Sequence, residues 1–253
     1  METICGIGGW FIKPEVSWRP TNNQVADWLV SLESRGKDAS GYATICDDGL
    51  LRYSKLDIEP KKFADFLRND TTPIGRIGIL HTRKWTIGKP EDNSNNHPII
   101  YKGHALVHNG GIRNYEEAWE KLKINPIAEV DSSILVVALA ELGVDEGIKF
   151  ITTQLGGSAT LAAILKDHSI VLARDSNPLF LYKPMPGVLL WSSCKTTFLT
   201  ISASQPGEFG VVWDSIYEVP NLKYIHLSSD GNSLTHLGSF NIHGSYNYPN
   251  HYW

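Results

Sequence analysis

The chain has 253 residues, 42% of them hydrophobic and 20% charged, with a formal net charge of -4. That length accommodates one large or two small domains with a substantial core, and so mild an acidity gives no reason to expect nucleic acid or an anionic membrane as partner. No run of about 18 apolar residues appears, nor a basic segment leading into an apolar one, so neither a membrane span nor a secretory signal is indicated and a cytoplasmic setting is expected.

Cys5, Cys46 and Cys194 are odd in number and far apart, which argues against a disulfide framework and a structural zinc. The first motif is Cys5-Gly6-Ile7-Gly8-Gly9, a thiol four residues from the start followed by glycines that let other backbone approach. Its plain reading is a small buried hydrophobe on an N-terminal strand. Its chemical reading is a nucleophile: if Met1 to Ile4 were removed, the freed α-amino group, with a pKa of about 7.7 to 8.0, would serve as base for the thiol beside it.

Trp10-Phe11-Ile12 continues a strand from Ile4, and Pro14 and Pro20 end it. Asn22 or Asn23 is the expected cap of a helix with Val25, Trp28, Leu29 and Leu32 on one face and Gly36 beyond its end. After the loop Arg35 to Gly41, Tyr42 to Cys46 and Leu50 to Ser54 read as a hairpin turning at Asp47-Asp48-Gly49. Pro60 opens a helix with Phe63, Phe66 and Leu67 on one face. Ile77 to Leu80 is a compact apolar strand leading into His81-Thr82-Arg83-Lys84-Trp85-Thr86. A polar loop then runs to Asn96-His97-Pro98, and loops of that length tend to be functional. The strand His104 to Val107 ends in His108-Asn109-Gly110-Gly111, where the glycines permit positive φ and expose backbone N–H groups.

Tyr115 to Leu122 reads as helix, and Asp131-Ser132-Ser133 as the cap of a buried apolar helix from Ile134 to Leu142. Beyond Gly156-Gly157 come short strands: Ala159 to Leu165, Ser169 to Ala173, Leu179 to Tyr182, Val188 to Trp191, Lys223 to Leu227 and Leu234 to Leu237. Turns such as Asp175-Ser176-Asn177-Pro178 between them suit antiparallel pairing. Helices within two sets of strands predict an α/β layered domain, single over 1–253, with 241–253 an aromatic tail or docking segment.

Six motifs in order, Cys5-Gly6-Ile7, Arg35-Gly36-x-Asp38-x-Ser40-Gly41, His81-Thr82-Arg83-x-x-Thr86-x-Gly88-x-Pro90, Asn96-His97-Pro98, His108-Asn109-Gly110 and Asp131-Ser132, resemble the class II glutamine amidotransferase domain of the N-terminal-nucleophile hydrolases. Arg174-Asp175-x-x-Pro178-Leu179 resembles the later hairpin of that family more weakly. The resemblance implies a four-layer αββα sandwich with two antiparallel sheets between helical layers. It implies Cys5 as nucleophile, Asn109 and Gly110 as the oxyanion hole, and Arg83 with Thr86 for the α-carboxylate of glutamine. Asp131 takes the α-ammonium, and Arg35, Asp38 and Gly41 support the nucleophile's surroundings. No cofactor or metal is implied, and the spacings of His81, His97 and His108 match no metal motif.

The chain departs from the family pattern in three places. Most relatives carry the cysteine directly after the initiator methionine, so Met1 to Ile4 is expected to be a propeptide, cleaved by the same thiol attacking its preceding peptide. Ser133 stands where a glutamate is common, and Lys84-Trp85 replaces an aromatic-then-small pair. Three functions follow. The first is a glutaminase that hands ammonia to a separate synthetase or transferase, since the chain ends before a fused synthase would fit. The second is a stand-alone amidase acting on a γ-glutamyl small molecule or peptide. The third is a non-catalytic binding or scaffold protein with unprocessed Cys5.

Overall fold

The computed structural model describes residues 5–203, 215–229 and 234–242. The expected propeptide and most of the expected tail lie outside the described residues. In chain order the strands are β1 (Gly6–Ile12), β2 (Ala39–Ile45), β3 (Leu51–Leu56), β4 (Ile77–Arg83), β5 (Ile99–Tyr101), β6 (His104–Ile112) and β7 (Gly157–Ile164). They are followed by β8 (Ile170–Arg174), β9 (Phe180–Tyr182), β10 (Val188–Ser192), β11 (Ile216–Glu218), β12 (Lys223–Leu227) and β13 (Leu234–Ser239). The helices are α1 (Asn22–Ser31), α2 (Pro60–Asn69), α3 (Tyr115–Leu122), α4 (Ser133–Gln154) and α5 (Thr197–Ala203). Two antiparallel sheets result, one ordered β11-β9-β10-β1-β4-β2-β3 and the other β13-β12-β8-β7-β6-β5.

The four expected layers are present, and strand alternation shows why. In β1, Ile7 and Phe11 face the second sheet; together with Ile77 and Ile79 of the neighbouring β4 they form one core cluster with Ala105 and Val107 of β6 and Leu172 of β8. The other face of β1 presents Trp10 and Ile12 to Val25, Trp28 and Leu29 of α1, Phe63 and Leu67 of α2 and Phe198 of α5. The second sheet turns Leu106 and Leu161 outward onto α3 and α4. Both faces of each central strand are therefore apolar, and each fully buried aliphatic side chain contributes about 1.5–3 kcal/mol by leaving water. Among the described residues no helix is long and apolar enough to cross a membrane.

The elements differ from the sequence expectation in local ways. Thr21, not Asn22 or Asn23, caps α1: its hydroxyl accepts from the Gln24 N–H at 3.3 Å and the Gln24 amide oxygen accepts from the Thr21 N–H at 2.7 Å. Asn22 instead donates to the carbonyls of Leu67, Asp70 and Thr72, tying α1 to the end of α2. Phe66 leaves the buried face of α2 and is 44% exposed, resting against the Phe63 ring. The apolar helix does not stop at Leu142: α4 breaks at Gly143, which has φ 78°, and resumes to Gln154. Asp131, Ser132 and Ser133 make no side-chain cap on α4, because Asp131 is engaged elsewhere.

Candidate active site

β1 and β4 are neighbours in the middle of the first sheet, and Gly6 pairs with Thr82 and Ile7 with His81. Continuing that register carries Cys5 to the end of β4, where the chain leaves the sheet. There the Lys84 N–H donates to Cys5 Sγ at 3.3 Å, and the Lys84 carbonyl lies 3.6 Å from the sulfur. Arg35 Nε donates to the Cys5 carbonyl at 3.3 Å. Asp38 Oδ2 accepts from the Trp85 N–H at 2.7 Å and lies 3.6 Å from Lys84 Nζ, while the Asp38 N–H donates to the Arg83 carbonyl. Arg35 and Asp38 thus hold the backbone of Cys5 and of the loop beside it. Gly41, on β2, leaves room for the His97 carbonyl, with which any Cβ there would collide.

Burial pushes the Cys5 thiol up; the Lys84 N–H and the Arg83 charge pull it down by less, Asp131 adds to the rise and Arg35 opposes it. A thiol in that state is not a resting thiolate and gives up its proton only to a base.

Arg83 is buried, with Nη1 donating to Asn96 Oδ1 at 2.7 Å and Nη2 to the Ile87 and Gly88 carbonyls at 2.5 and 2.6 Å. Three of its five donors are engaged, which fixes the plane of the guanidinium and leaves Nε–H and one Nη1–H for a ligand. Asp131 is buried, its Oδ2 accepting from the Ile112 N–H at 2.5 Å and its Oδ1 lying 3.4 Å from Ser132 Oγ. Thr86 is exposed on the loop after Arg83.

Asn109 shares the inward face of β6 with Ala105 and Val107, is 0% exposed, and among the described residues has no partner for either Nδ2 or Oδ1. A buried amide left unbonded costs about 1–3 kcal/mol, so its persistence requires a reason. Gly110 follows with φ 148°, and a Cβ there would collide with the Ser158 carbonyl and stand 2.8 Å from His108 Nε2. Only glycine fits.

Three buried histidines bond to one another's surroundings beside this site. His81 and His97 stack with ring centroids 4.2 Å apart, His81 Nε2 donates to the His108 carbonyl, and His108 Nδ1 lies 2.7 Å from Ser132 Oγ. Burial drives His81 down to about 3, His97 well below the usual imidazole range and His108 downward, so all three are neutral at pH 7. Among the described residues no group of three or more His, Cys, Asp and Glu side chains is arranged to hold a metal ion. Cys46 is buried, whereas Cys194 is half-buried with Sγ 3.0 Å from Thr196 Oγ1.

Two supporting residues escaped the sequence reading. Asn177, read only as part of a turn, donates Nδ2 to the Asn109 carbonyl at 3.1 Å, while its own carbonyl accepts from Thr160 Oγ1 and Arg174 Nε. Asn95, read as loop, is fully buried and joins that loop to the segment before Asp131.

Residues 82–200 match the family model described as "Glutamine amidotransferase domain". Over 186 residues the chain is 32% identical to a glutamine–fructose-6-phosphate aminotransferase (isomerizing) of Rhizobium meliloti, covering 70% of this chain and 29% of that protein. A Halobacterium salinarum protein of the same name is 33% identical over 187 residues, covering 70% and 30%. The chain carries a class II glutamine amidotransferase domain. The matched stretch spans less than a third of the length of these curated relatives.

The fold of this amidotransferase domain is shared with solved structures. The glutamine phosphoribosylpyrophosphate amidotransferase of B. subtilis superposes with TM-score 0.70 at 18% identity, over 94% of this chain and 49% of that one. A glutamine aminotransferase class-II domain protein of Silicibacter pomeroyi superposes with TM-score 0.54 at 14% identity, over 94% of this chain and all of that one.

Proposed function

We propose that this amidotransferase domain hydrolyses the side-chain amide of free glutamine through a thioester on Cys5, and that the ammonia passes to a separate synthetase or transferase. The observation that carries the reading is the unbonded Asn109 amide, buried on the inter-sheet face of β6, the face toward which strand alternation from Ile7 also turns Cys5. Such a donor, already desolvated and committed to no other acceptor, is suited to charge that appears only in a transition state.

In this reading Met1 to Ile4 are removed: Cys5 Sγ attacks the Ile4 carbonyl carbon, the Ile4–Cys5 carbon–nitrogen bond breaks as the thiol proton passes to the freed nitrogen, water hydrolyses the resulting thioester, and the α-amine of Cys5 becomes the base. Sγ attacks the glutamine side-chain carbonyl carbon while the thiol proton moves to the α-amine. The oxyanion is held by Asn109 Nδ2 and the Gly110 N–H. Collapse breaks the carbon–nitrogen bond, the α-ammonium returns its proton to the leaving nitrogen, and ammonia departs from the thioester. Water, giving its proton to the amine, attacks the thioester; the thiol is reprotonated and glutamate leaves.

Arg83 pairs with the α-carboxylate through its two uncommitted donors, with Thr86 coming in from the loop, and Asp131 pairs with the α-ammonium. Arg35 and Asp38 keep the nucleophile's backbone in place, and Gly41 makes room for the His97 carbonyl. The raised thiol supports the need for an adjacent base, because no neutral histidine faces the sulfur as a hydrogen-bond partner among the described residues. The reading is tested by measuring ammonia and glutamate from free glutamine with the full chain and with Cys5→Ala. Stoichiometric release that Cys5→Ala abolishes supports it, and no release from the unaltered chain contradicts it.

A further inference from the structure

Arg83 and Asp131 are 48 residues apart in sequence, one at the end of β4 and the other in the segment before α4, yet an amino acid bridging them requires a fixed separation. The loop after β4 supplies it through two adjacent asparagines. Asn96 faces Arg83: its Oδ1 accepts from Nη1, and its Nδ2 donates to the Pro90 carbonyl at 2.7 Å and to Asn93 Oδ1 at 3.1 Å.

Asn95 faces the other way. Its Oδ1 accepts from the N–H groups of Glu129 at 2.9 Å and Val130 at 3.2 Å, the two residues before Asp131. Its Nδ2 donates to the Lys89 carbonyl at 3.2 Å and to Glu129 Oε2 at 3.3 Å. Lys89 follows Gly88, whose carbonyl holds Arg83 Nη2. All four hydrogen-bonding positions of the Asn95 amide are thus used, at 0% exposure: three run to Glu129 and Val130, next to Asp131, and one to Lys89, next to the residue that holds Arg83.

We propose that Asn95 is a positioning residue that sets the distance between Arg83 and Asp131, and through it the affinity for the α-amino-acid end of the substrate. This rests on reading those two residues as the α-carboxylate and α-ammonium partners. Asn95 touches neither Cys5, Asn109 nor Gly110, which are fixed by β1 and β6, so its effect falls on binding and not on the chemical step. Without its amide, two buried N–H groups lose their acceptor and the segment carrying Asp131 shifts to find another. Small displacements of this kind are costly where two charges must be met at once.

The test uses the full purified chain, its Asn95→Ala and Asn95→Asp variants, and two substrates: glutamine and 4-carbamoylbutanoate, which lacks the α-ammonium. Asn95→Ala is expected to raise KM for glutamine about tenfold, with kcat within about threefold, and to raise KM for 4-carbamoylbutanoate much less. Asn95→Asp keeps the acceptor for the two N–H groups but loses both donors and repels Glu129, and is expected to raise the glutamine KM by a smaller factor. An unchanged glutamine KM, a fall in kcat alone, or equal KM changes for both substrates would overturn the proposal. Should Asn95→Ala fail to fold, Asn95→Asp decides by the same criteria. Failure of the underlying reading is separable, because Arg83→Lys would then also leave the glutamine KM unchanged in an active enzyme.

Discussion

Asn109 offers a perturbation in which stability and activity should move in opposite directions. Replacing it with alanine removes an oxyanion donor, and loss of one such donor lowers kcat by about 10² to 10³, or about 2.7–4 kcal/mol of transition-state stabilisation. On the folding side the same change removes an amide whose two polar atoms are buried and unbonded, relieving about 1–3 kcal/mol of uncompensated desolvation. Against this stands a void of roughly 30 Å³, costing about 0.7 kcal/mol at ~24 cal/mol per Å³. The backbone bond from Asn177 to the Asn109 carbonyl is untouched. The balance favours the variant by up to about 2 kcal/mol, which for a domain of this size raises the melting temperature by about 2–4 °C per kcal/mol. Thermal melts and initial-rate ammonia assays on the same preparations measure both. A lower melting temperature with kcat within threefold of the parent would refute the reasoning, since Asn109 would then be an ordinary core residue.

Asn177→Ala should lower kcat five- to tenfold at unchanged KM, because the Asn109 carbonyl and the Gly110 N–H belong to one planar peptide group and freeing one end lets the other turn away; a change in KM alone would rule this out. Arg83→Lys should raise the glutamine KM at least tenfold, since an ammonium cannot meet Asn96, the Ile87 and Gly88 carbonyls and a carboxylate together; steady-state kinetics decide it. The three buried histidines have folded pKa values below their unfolded value of about 6.5, so only the unfolded chain takes up their protons as pH falls. Their neutral burial is free of cost above about pH 6.5 and becomes increasingly unfavourable below it, as the unfolded chain takes up protons that the folded histidines do not. The melting temperature should therefore fall from pH 7 to pH 5, and a flat profile would show that they are charged in the folded state.

A layered α/β domain was legible in the sequence from apolar helices lying within two sets of strands, and the four-layer order came with the family resemblance; the packing gives its reason, since Ile7 and Phe11 face the second sheet while Trp10 and Ile12 face the helices. The hairpin at Asp47-Asp48-Gly49 was legible for a local reason, Gly49 taking φ 76° where the turn needs it. Long-range pairing was not: β1 lies between β4 and β10, the latter nearly 180 residues on, and no short window of sequence encodes that neighbour. The second half of α4 was missed because Gly143 reads as a stop, although Ile148, Ile151 and Leu155 continue the buried periodicity beyond it.

Among the candidate residues, the motif order singled out Cys5, Arg83, Asn109 and Asp131 as candidates, all charged, reactive or glycine-flanked. Asn95 and Asn177 act through neutral amides bonded to backbone, and an asparagine in a polar loop has the same appearance whether it closes a turn or carries four bonds. Asp131 illustrates the converse. Its place before a helix suggested a cap, but the Ile112 N–H claims its carboxylate and turns it toward the site.

The central claim is that Cys5 becomes an N-terminal nucleophile in a glutamine-shaped site. The intact mass of the purified chain, before and after exposure to 6-diazo-5-oxo-norleucine, tests it most directly. Loss of Met1 to Ile4, followed by a single adduct mapped to Cys5, is the expected result. A mass that retains Met1 to Ile4 and gains no adduct would contradict it, leaving the thiol with an amide nitrogen in place of a base.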